Sequence, residues 1–194
     1  IIQSDGYSPY RKLESDAYPH ITRIPCLQHI KRKFIDCGEK EPDAKRIVEL
    51  INALYQNEHK HKVGVEGWTV EQNLMHRKKY APDILGEIKD VLDEIEERGD
   101  LLPKSELQEA ITYLRNEWNA VVDIFNYGDT YLDNNMVERM NRYISLSRKN
   151  SLFFGSHKGA ERGAILYTIA LTCRMHKVNL FEYLTDVINR TAEW

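Results

Sequence analysis

The sequence predicts a mainly α-helical fold with two short strands near the N-terminus, and two observations lead to it. Beyond about residue 43, apolar side chains recur at intervals of three and four, which is the period of a helix. Before that point, residues 1–4 and 21–26 are short segments, apolar or rich in β-branched residues, that indicate strands. The 194 residues suffice for one domain of ordinary size, or for one domain with a sizeable insertion.

Both strand segments end at residues that stop or limit a strand. The run at residues 1–4 reaches Asp5-Gly6, a pair that is typical of turns. In the segment 21–26, Pro25 has no backbone N–H to donate, which places it at a sheet edge or at the end of the strand.

The first helices follow from periodicity. One runs from about Asp43 to beyond Glu58. The next covers residues 74–98, where Pro82 predicts a kink or a new helix start, because its ring excludes a backbone hydrogen bond.

The later helices also carry local signals. Ser105-x-x-Gln108 is a capping box that opens a helix ending at the turn 126–129. The apolar stripe of that helix is Leu107, Ile111, Leu114, Trp118, Val121, Val122 and Phe125. Further helices are expected from about Asn134, over 160–177 and over 180–190.

The composition excludes several classes of protein. With 42% hydrophobic residues and a net charge of −3, the chain is neither disordered nor strongly basic. No run of about 18 apolar residues occurs, so no membrane span is expected. The three cysteines cannot complete a disulfide framework, which favours a reducing, cytosolic setting. Since the chain starts at Ile1 without Met, we expect it to be part of a longer protein.

Charge is unevenly distributed along the chain. Residues 87–109 carry nine acids against three bases, which is typical of a solvated helix face. Residues 138–162 carry six bases against two acids, and residues 23–33 form a second basic tract. The two basic tracts are therefore the candidates for phosphate contact.

Asn135, Glu138 and Arg142 are spaced three and four apart, so they share one helix face. Spacing alone favours a structural interpretation: Asn135-x-x-Glu138 is a capping box, Asp133 is an alternative N-cap, and Glu138 with Arg142 is an i,i+4 ion pair.

Longer strings change that assessment. DNNMVER at 133–139 is followed by SRKNSLFFGSHKGAERGA and then by NLFEYLTDVI, while IIQSDGYSPY, IPCLQHIKRKF and LPKSELQEAITYLRNEW precede it in that order. Together these strings resemble the C-terminal half of transposases of the insertion-sequence-66 (IS66) family, from residue 1 to about residue 190.

The resemblance implies a partial ribonuclease-H-like (α/β) core interrupted by an α-helical insertion. The core would comprise residues 1–37, the insertion 38–128, and the helical region that closes the core 129–194. Asp5 matches the second catalytic aspartate of the family and Glu138 its glutamate. The first aspartate would lie upstream of Ile1, since Asp16 stands in a context that does not match that motif.

The implied activity is DNA transposition of the Asp-Asp-Glu type, in which a phosphodiester is cleaved and the freed 3′-hydroxyl is joined to a new strand. Such displacements use divalent cations, so Mg²⁺ or Mn²⁺ is expected on the carboxylates of Asp5 and Glu138. With one carboxylate of three missing, this chain alone is expected not to cut DNA.

Other residues are assigned supporting roles by the same resemblance. Basic residues expected to contact DNA phosphates are Arg139, Arg142, Arg148, Lys149 and Lys158. His29, Asn134 and Asn135 are expected to flank the catalytic site. The glycine-containing segment 155–159 either approaches a phosphate or simply connects two helices.

Cys26-x-x-His29 also has a spacing found in metal sites. A zinc site would need two more ligands, and Cys37 is the only nearby candidate. A buried strand-end cysteine with a structural or site-flanking histidine is the favoured interpretation.

The expected partners are transposon-end and target DNA, with self-association and no membrane, in the prokaryotic cytoplasm and at the nucleoid when DNA is bound. Two alternatives remain: a non-catalytic helical remnant that contacts DNA or protein, or another ribonuclease-H-like nuclease such as a junction resolvase. The second does not account for the ordered strings from residue 134 to 162.

Overall fold

A computed structural model describes residues 1–6, 8–14, 17–60 and 67–191. The chain divides into two compact units, Ile1–Asn134 and Asn135–Trp194. Each unit is described by itself. Asp16, considered above as a possible catalytic residue, lies outside the described residues.

The two predicted strands are confirmed, and they pair with each other. β1 (Ile2–Ser4) and β2 (Arg23–Pro25) run parallel, with Ile2 opposite Arg23 and Ser4 opposite Pro25. Helix α1 (Ser8–Arg11) and a 3₁₀ turn (Lys12–Glu14) lie in the connection between them. Pro25 stands at the end of β2, where its missing N–H is tolerated.

Four helices build the rest of the first unit. They are α2 (Leu27–Asp36), α3 (Pro42–Lys60), α4 (Val70–Arg98) and α5 (Glu106–Ile124). α2 packs on α3 and α5, α3 packs on α4, and α5 packs on β2. Their apolar stripes form one buried core that includes Ile24, Phe34, Ile51, Leu92 and Leu114.

α4 begins earlier than predicted, and of the two options at Pro82 a new helix start does not occur. It begins at Val70, because Thr69 and Gln72 form a reciprocal capping box that the periodicity did not reveal. The helix also continues through Pro82, whose ring is exposed while Ala81 and Leu85 on either side are buried in the core. Packing of the buried face thus outweighs the lost hydrogen bond.

The predicted Ser105 cap at the start of α5 is confirmed. The Ser105 side chain caps the helix by accepting a hydrogen bond from the Gln108 N–H at 3.2 Å. The Gln108 side chain accepts from the backbone N–H of Lys104, and so the second half of the box is displaced by one residue. Leu107, Ile111 and Leu114 of the predicted stripe are buried.

The second unit consists of α6 (Asn135–Asn150), α7 (His157–Met175) and α8 (Leu180–Thr191). α7 begins at His157, three residues before the predicted start, where Ser156 caps it by accepting from the Gly159 N–H. Across the described ranges, every helix is too short or too polar to cross a lipid bilayer.

The observed architecture is therefore mainly α-helical with two short parallel strands. The ribonuclease-H-like core and the domain boundaries after residues 37 and 128 stay predictions.

Candidate catalytic site and nucleic-acid interface

Asp5 lies in a turn whose shape is fixed on both sides. It follows β1 directly, and the neighbouring Ser4 is buried and accepts a hydrogen bond from the Cys26 N–H at 3.0 Å. Gly6 faces the ring of Tyr113 on α5, and a Cβ at that position would lie 2.5 Å from Tyr113 Cε2. A larger residue would displace the Tyr113 ring, so the segment that carries Asp5 lies directly against α5.

A buried ionic cluster supports the same strands. Glu117 of α5 is buried and accepts hydrogen bonds from Arg11 at 2.8 Å and from Arg23 at 2.5 Å. Since Arg23 belongs to β2 and Arg11 ends α1, one carboxylate joins three elements around the Asp5 turn. The two arginines in return compensate the cost of burying that carboxylate.

Residues 131–134 run beside the ends of both strands and lead to α6. The Gln3 side chain donates to the Tyr131 carbonyl at 2.8 Å and to the Pro25 carbonyl at 3.2 Å. The Leu27 N–H donates to the Leu132 carbonyl at 2.9 Å, and the Leu132 side chain is buried. The segment that precedes Asn135 is thus fixed to the Asp5-bearing sheet.

Two side chains near this segment, Cys26 and Tyr55, have raised pKa values. Burial raises the pKa of the Cys26 thiol, and the Asp133 carboxylate raises it further. Nearby backbone N–H groups, above all that of Asn134, lower this pKa and so oppose part of the increase. Burial and Asp133 likewise raise the pKa of Tyr55. Cys26 is buried directly after β2, and His29 lies half-buried in the first turn of α2.

A second buried arginine, on α4, fixes the loop before residues 131–134. Arg77 is fully buried and pairs with Glu58 through two hydrogen bonds of 2.7 and 2.8 Å. It also donates to the carbonyls of Ile124, Tyr127 and Thr130. One side chain therefore binds the last carbonyl of α5 and two carbonyls of the loop that follows it.

Asn73 and Gly128 also hold this loop in place. The Asn73 amide donates to the Gly128 carbonyl at 2.7 Å, and a Cβ at Gly128 would overlap the Val70 carbonyl. Sequence reasoning missed Arg77 and Asn73. The available signal was their spacing of four residues within the stripe that continues as Ala81 and Leu85, which marks them as buried polar residues.

The remaining candidates lie in the second unit, apart from Asn134, which is half-buried at the end of the first. α6 starts at Asn135 and carries Glu138 in its first turn, with the side chain exposed. Arg139 is exposed too and donates to the Asn135 carbonyl at 3.3 Å. The other predicted phosphate contacts are all exposed: Arg142, Arg148 and Lys149 on α6 and Lys158 on α7.

The donor chemistry of the two predicted carboxylates suits Mg²⁺ or Mn²⁺. Both cations prefer hard oxygen ligands, and Asp5 and Glu138 supply such oxygens from half-buried and exposed positions. Within the part of the chain that the structure describes, three or more His, Cys, Asp or Glu side chains do not cluster as a metal site.

Comparison with known proteins decides the family. The sequence profile of the transposase IS66 family matches residues 1–162, which include both Asp5 and Glu138. The chain belongs to the IS66 transposase family. The match covers all of the first unit and the second unit as far as residue 162.

The chain is also similar to three uncharacterized proteins of Sinorhizobium fredii. It is 28% identical to y4jD over 98% of this chain and 37% of the relative. It is 28% identical to y4hP and to y4qI over its whole length, covering 37% and 36% of those relatives. No solved structure matches. The chain thus spans little more than a third of the length of these relatives.

Proposed function

We propose that this chain is the C-terminal part of the catalytic region of an Asp-Asp-Glu transposase. Asp5 serves as the second aspartate and Glu138 as the glutamate, while the first aspartate lies upstream of Ile1. The observation that carries the proposal is the family match over residues 1–162, since it contains both carboxylates in their expected strings. The two parallel strands would belong to a ribonuclease-H-like core.

In the proposed reaction the carboxylates of Asp5 and Glu138 hold Mg²⁺ or Mn²⁺. Cations held there would supply activation of the attacking oxygen and stabilisation of the leaving oxygen for an in-line displacement at phosphorus. The work of the rest of the chain is to position these oxygens. Tyr113 and Glu117 fix the turn that carries Asp5, and His29, Asn134 and Asn135 flank the site.

DNA contact is proposed for the second unit on the basis of charge. Residues 135–191 carry nine Lys and Arg against four Asp and Glu, whereas residues 1–134 carry eighteen against twenty-five. Cationic side chains neutralise backbone phosphates and give binding that weakens with salt. The proposed phosphate contacts are Arg139, Arg142, Arg148, Lys149 and Lys158.

Four further features belong to the proposal. With two carboxylates of three, this chain alone does not cut DNA. The complete enzyme acts on transposon ends and target DNA, self-associates to join two ends, and works in the prokaryotic cytoplasm at the nucleoid.

The test is a cleavage and strand-transfer assay with Mg²⁺, using a protein of the length of the relatives that contains this chain, and a DNA that carries the transposon end. Asp5→Asn and Glu138→Gln should each abolish both steps. Asp36→Asn and Glu161→Gln change exposed carboxylates of α2 and α7 and serve as matched controls. Cleavage at the wild-type rate by either of the first two variants would contradict the proposal.

The same assay separates the alternatives. A ribonuclease-H-like nuclease would cleave without joining the 3′-hydroxyl to a second strand. A non-catalytic remnant would bind DNA, with salt-sensitive affinity, but would show no metal-dependent cleavage even in the longer protein. The basic second unit is the feature that supports such a binding role.

A further inference from the structure

The connection between α6 and α7 exposes two large apolar side chains. In this tip, residues 151–156, Leu152 is 75% exposed and Phe153 is 86% exposed. Two adjacent exposed apolar side chains form a small apolar patch, and larger patches of this kind occur at contact sites.

The tip has a defined shape because its third apolar residue is anchored. The Phe154 ring packs edge-on against Tyr167 of α7, with ring centroids 6.5 Å apart. The Tyr167 hydroxyl in turn forms a hydrogen bond with Ser147 of α6. Phe154 therefore joins the tip to both helices, while its neighbour Phe153 stays in solvent.

Three glycines make this anchoring possible. A Cβ at Gly163 would lie 2.6 Å from the Phe154 ring, and one at Gly159 would overlap the Phe154 carbonyl. Gly155 has a φ of 76°, a conformation that favours glycine. The sequence thus presents Leu152 and Phe153 from a turn that only a specific arrangement of glycines permits.

Cations lie on both sides of the tip. Arg148 and Lys149 end α6, and Lys158 is in the first turn of α7, all with exposed side chains. An aromatic ring flanked by exposed cations matches a base flanked by its own phosphates. A protein partner that covered only the apolar side chains would leave these charges without a role.

We propose that Phe153, supported by Leu152, stacks on an unpaired or unstacked base next to the phosphates bound by Arg148, Lys149 and Lys158. Aromatic side chains stack on any base, and apolar side chains of this type also wedge between base steps. The tip would then select DNA that is nicked or distorted over an intact duplex. This inference rests on the proposed DNA contact of the second unit and adds a preference for unpaired bases.

The experiment measures binding of the 194-residue chain to two fluorescein-labelled DNAs by fluorescence anisotropy at low salt. One DNA is a fully paired duplex, and the other is the same duplex with a short mismatched bubble. Wild-type protein should prefer the bubble by at least about fivefold, and Phe153→Ala should remove that preference while leaving duplex affinity unchanged. Phe153→Trp should keep it, and Phe153→Leu should lose most of it, because leucine has no ring to stack.

Control variants separate this inference from the proposed function. Phe181→Ala removes an equally exposed ring, 79% exposed on α8, and should leave the preference intact. Arg148→Ala with Lys149→Ala should weaken binding to both DNAs by the same factor. When 2-aminopurine is placed in the bubble, the wild type should quench its fluorescence and Phe153→Ala should not.

Two results would overturn the inference alone. One is a bubble preference that survives Phe153→Ala while the basic variants still weaken binding. The other is a Phe153→Ala variant that changes only the oligomeric state, measured by light scattering, which would make the tip a contact between copies. Failure of the wild type to bind either DNA would overturn the inference together with the proposed DNA contact.

Discussion

Residues 1–134 and residues 135–191 are both mainly helical, but they differ in what their helices bury. The first unit encloses a continuous apolar core and, among the described residues, four buried charged side chains, those of Arg23, Asp43, Arg77 and Glu117. In the second unit, Cys173 is the one buried residue among those described, and fourteen large apolar side chains are exposed.

This difference in buried side chains indicates different roles for the two units. Buried ion pairs in the first unit join elements that are distant in sequence, so they define where the Asp5 turn and the segment 131–134 lie. The helices of the second unit present charged and apolar side chains to their surroundings. A unit with so little buried apolar surface contributes less to folding stability, and substitutions there should mainly affect contacts.

The largest expected effect comes from Arg77→Met. Removing the guanidinium takes away the charge that pairs with Glu58, which keeps only the Tyr80 hydroxyl, and the donor of the Tyr127 and Thr130 carbonyls. This should reduce the free energy of unfolding by about 3–5 kcal/mol. The matched variant in the second unit is Arg174→Met, whose guanidinium lies over the Tyr143 ring at 4.1 Å. That change should cost about 1 kcal/mol or less. Urea unfolding measures both, and equal losses would contradict the contrast between the units.

Glu117→Gln should be next in size. It removes the carboxylate that neutralises Arg11 and Arg23, and we expect a loss of about 2–3 kcal/mol because an amide can still accept one of the two hydrogen bonds. Glu109→Gln, on the exposed side of the same helix, should stay within about 0.5 kcal/mol of the wild type. A near-neutral Glu117→Gln in urea unfolding would show that the cluster does not support the strands.

Gly128→Ala and Gly86→Ala should change the free energy of unfolding in opposite directions. At Gly128 the new methyl group would overlap the Val70 carbonyl, so the loop must shift, at a cost of about 1–3 kcal/mol. Gly86 lies within α4 with open space around its Cβ position, and alanine there should stabilise the helix by about 0.5–1 kcal/mol. Thermal unfolding should therefore show a lower midpoint for the first variant and a higher one for the second.

A smaller effect is expected from pH. Burial and the Glu58 carboxylate, to which the Tyr80 hydroxyl donates at 2.7 Å, raise the pKa of Tyr80. Its contribution to stability is fully present below the unfolded-state pKa of about 10 and is lost as the pH rises through the folded-state value. The free energy of unfolding should therefore decline above about pH 10, less steeply in Tyr80→Phe. Tyr18→Phe, at an exposed position, is the control, and an unchanged decline in Tyr80→Phe would contradict this assignment.

Local signals in the sequence predicted much of the fold. The strand segments, the Ser105 cap and the apolar stripe of α5 are set by neighbouring residues, and all were found where expected. The start of α4 was missed because its cap is not visible in the periodicity, and the new helix start that was one option at Pro82 does not occur.

The buried charges were harder to predict for a different reason. Glu117 meets Arg23 across 94 positions of sequence, and Arg77 meets Thr130 across 53, so local patterns contain no sign of either pair. The roles of Asp5 and Glu138 came from a resemblance that family membership supports, while their catalytic function stays a prediction.

The most direct test of the central claim asks whether Asp5 and Glu138 bind the same cation. Mn²⁺ added to the ¹⁵N-labelled chain broadens the NMR signals of backbone amides near it, even when binding is weak. The account predicts that the amides of Gly6 and Arg139 broaden at the same Mn²⁺ concentration, and that Asp5→Asn abolishes the broadening at both. If Asp5→Asn removes broadening only at Gly6 and leaves that at Arg139, the two carboxylates do not share a metal, and the account is wrong.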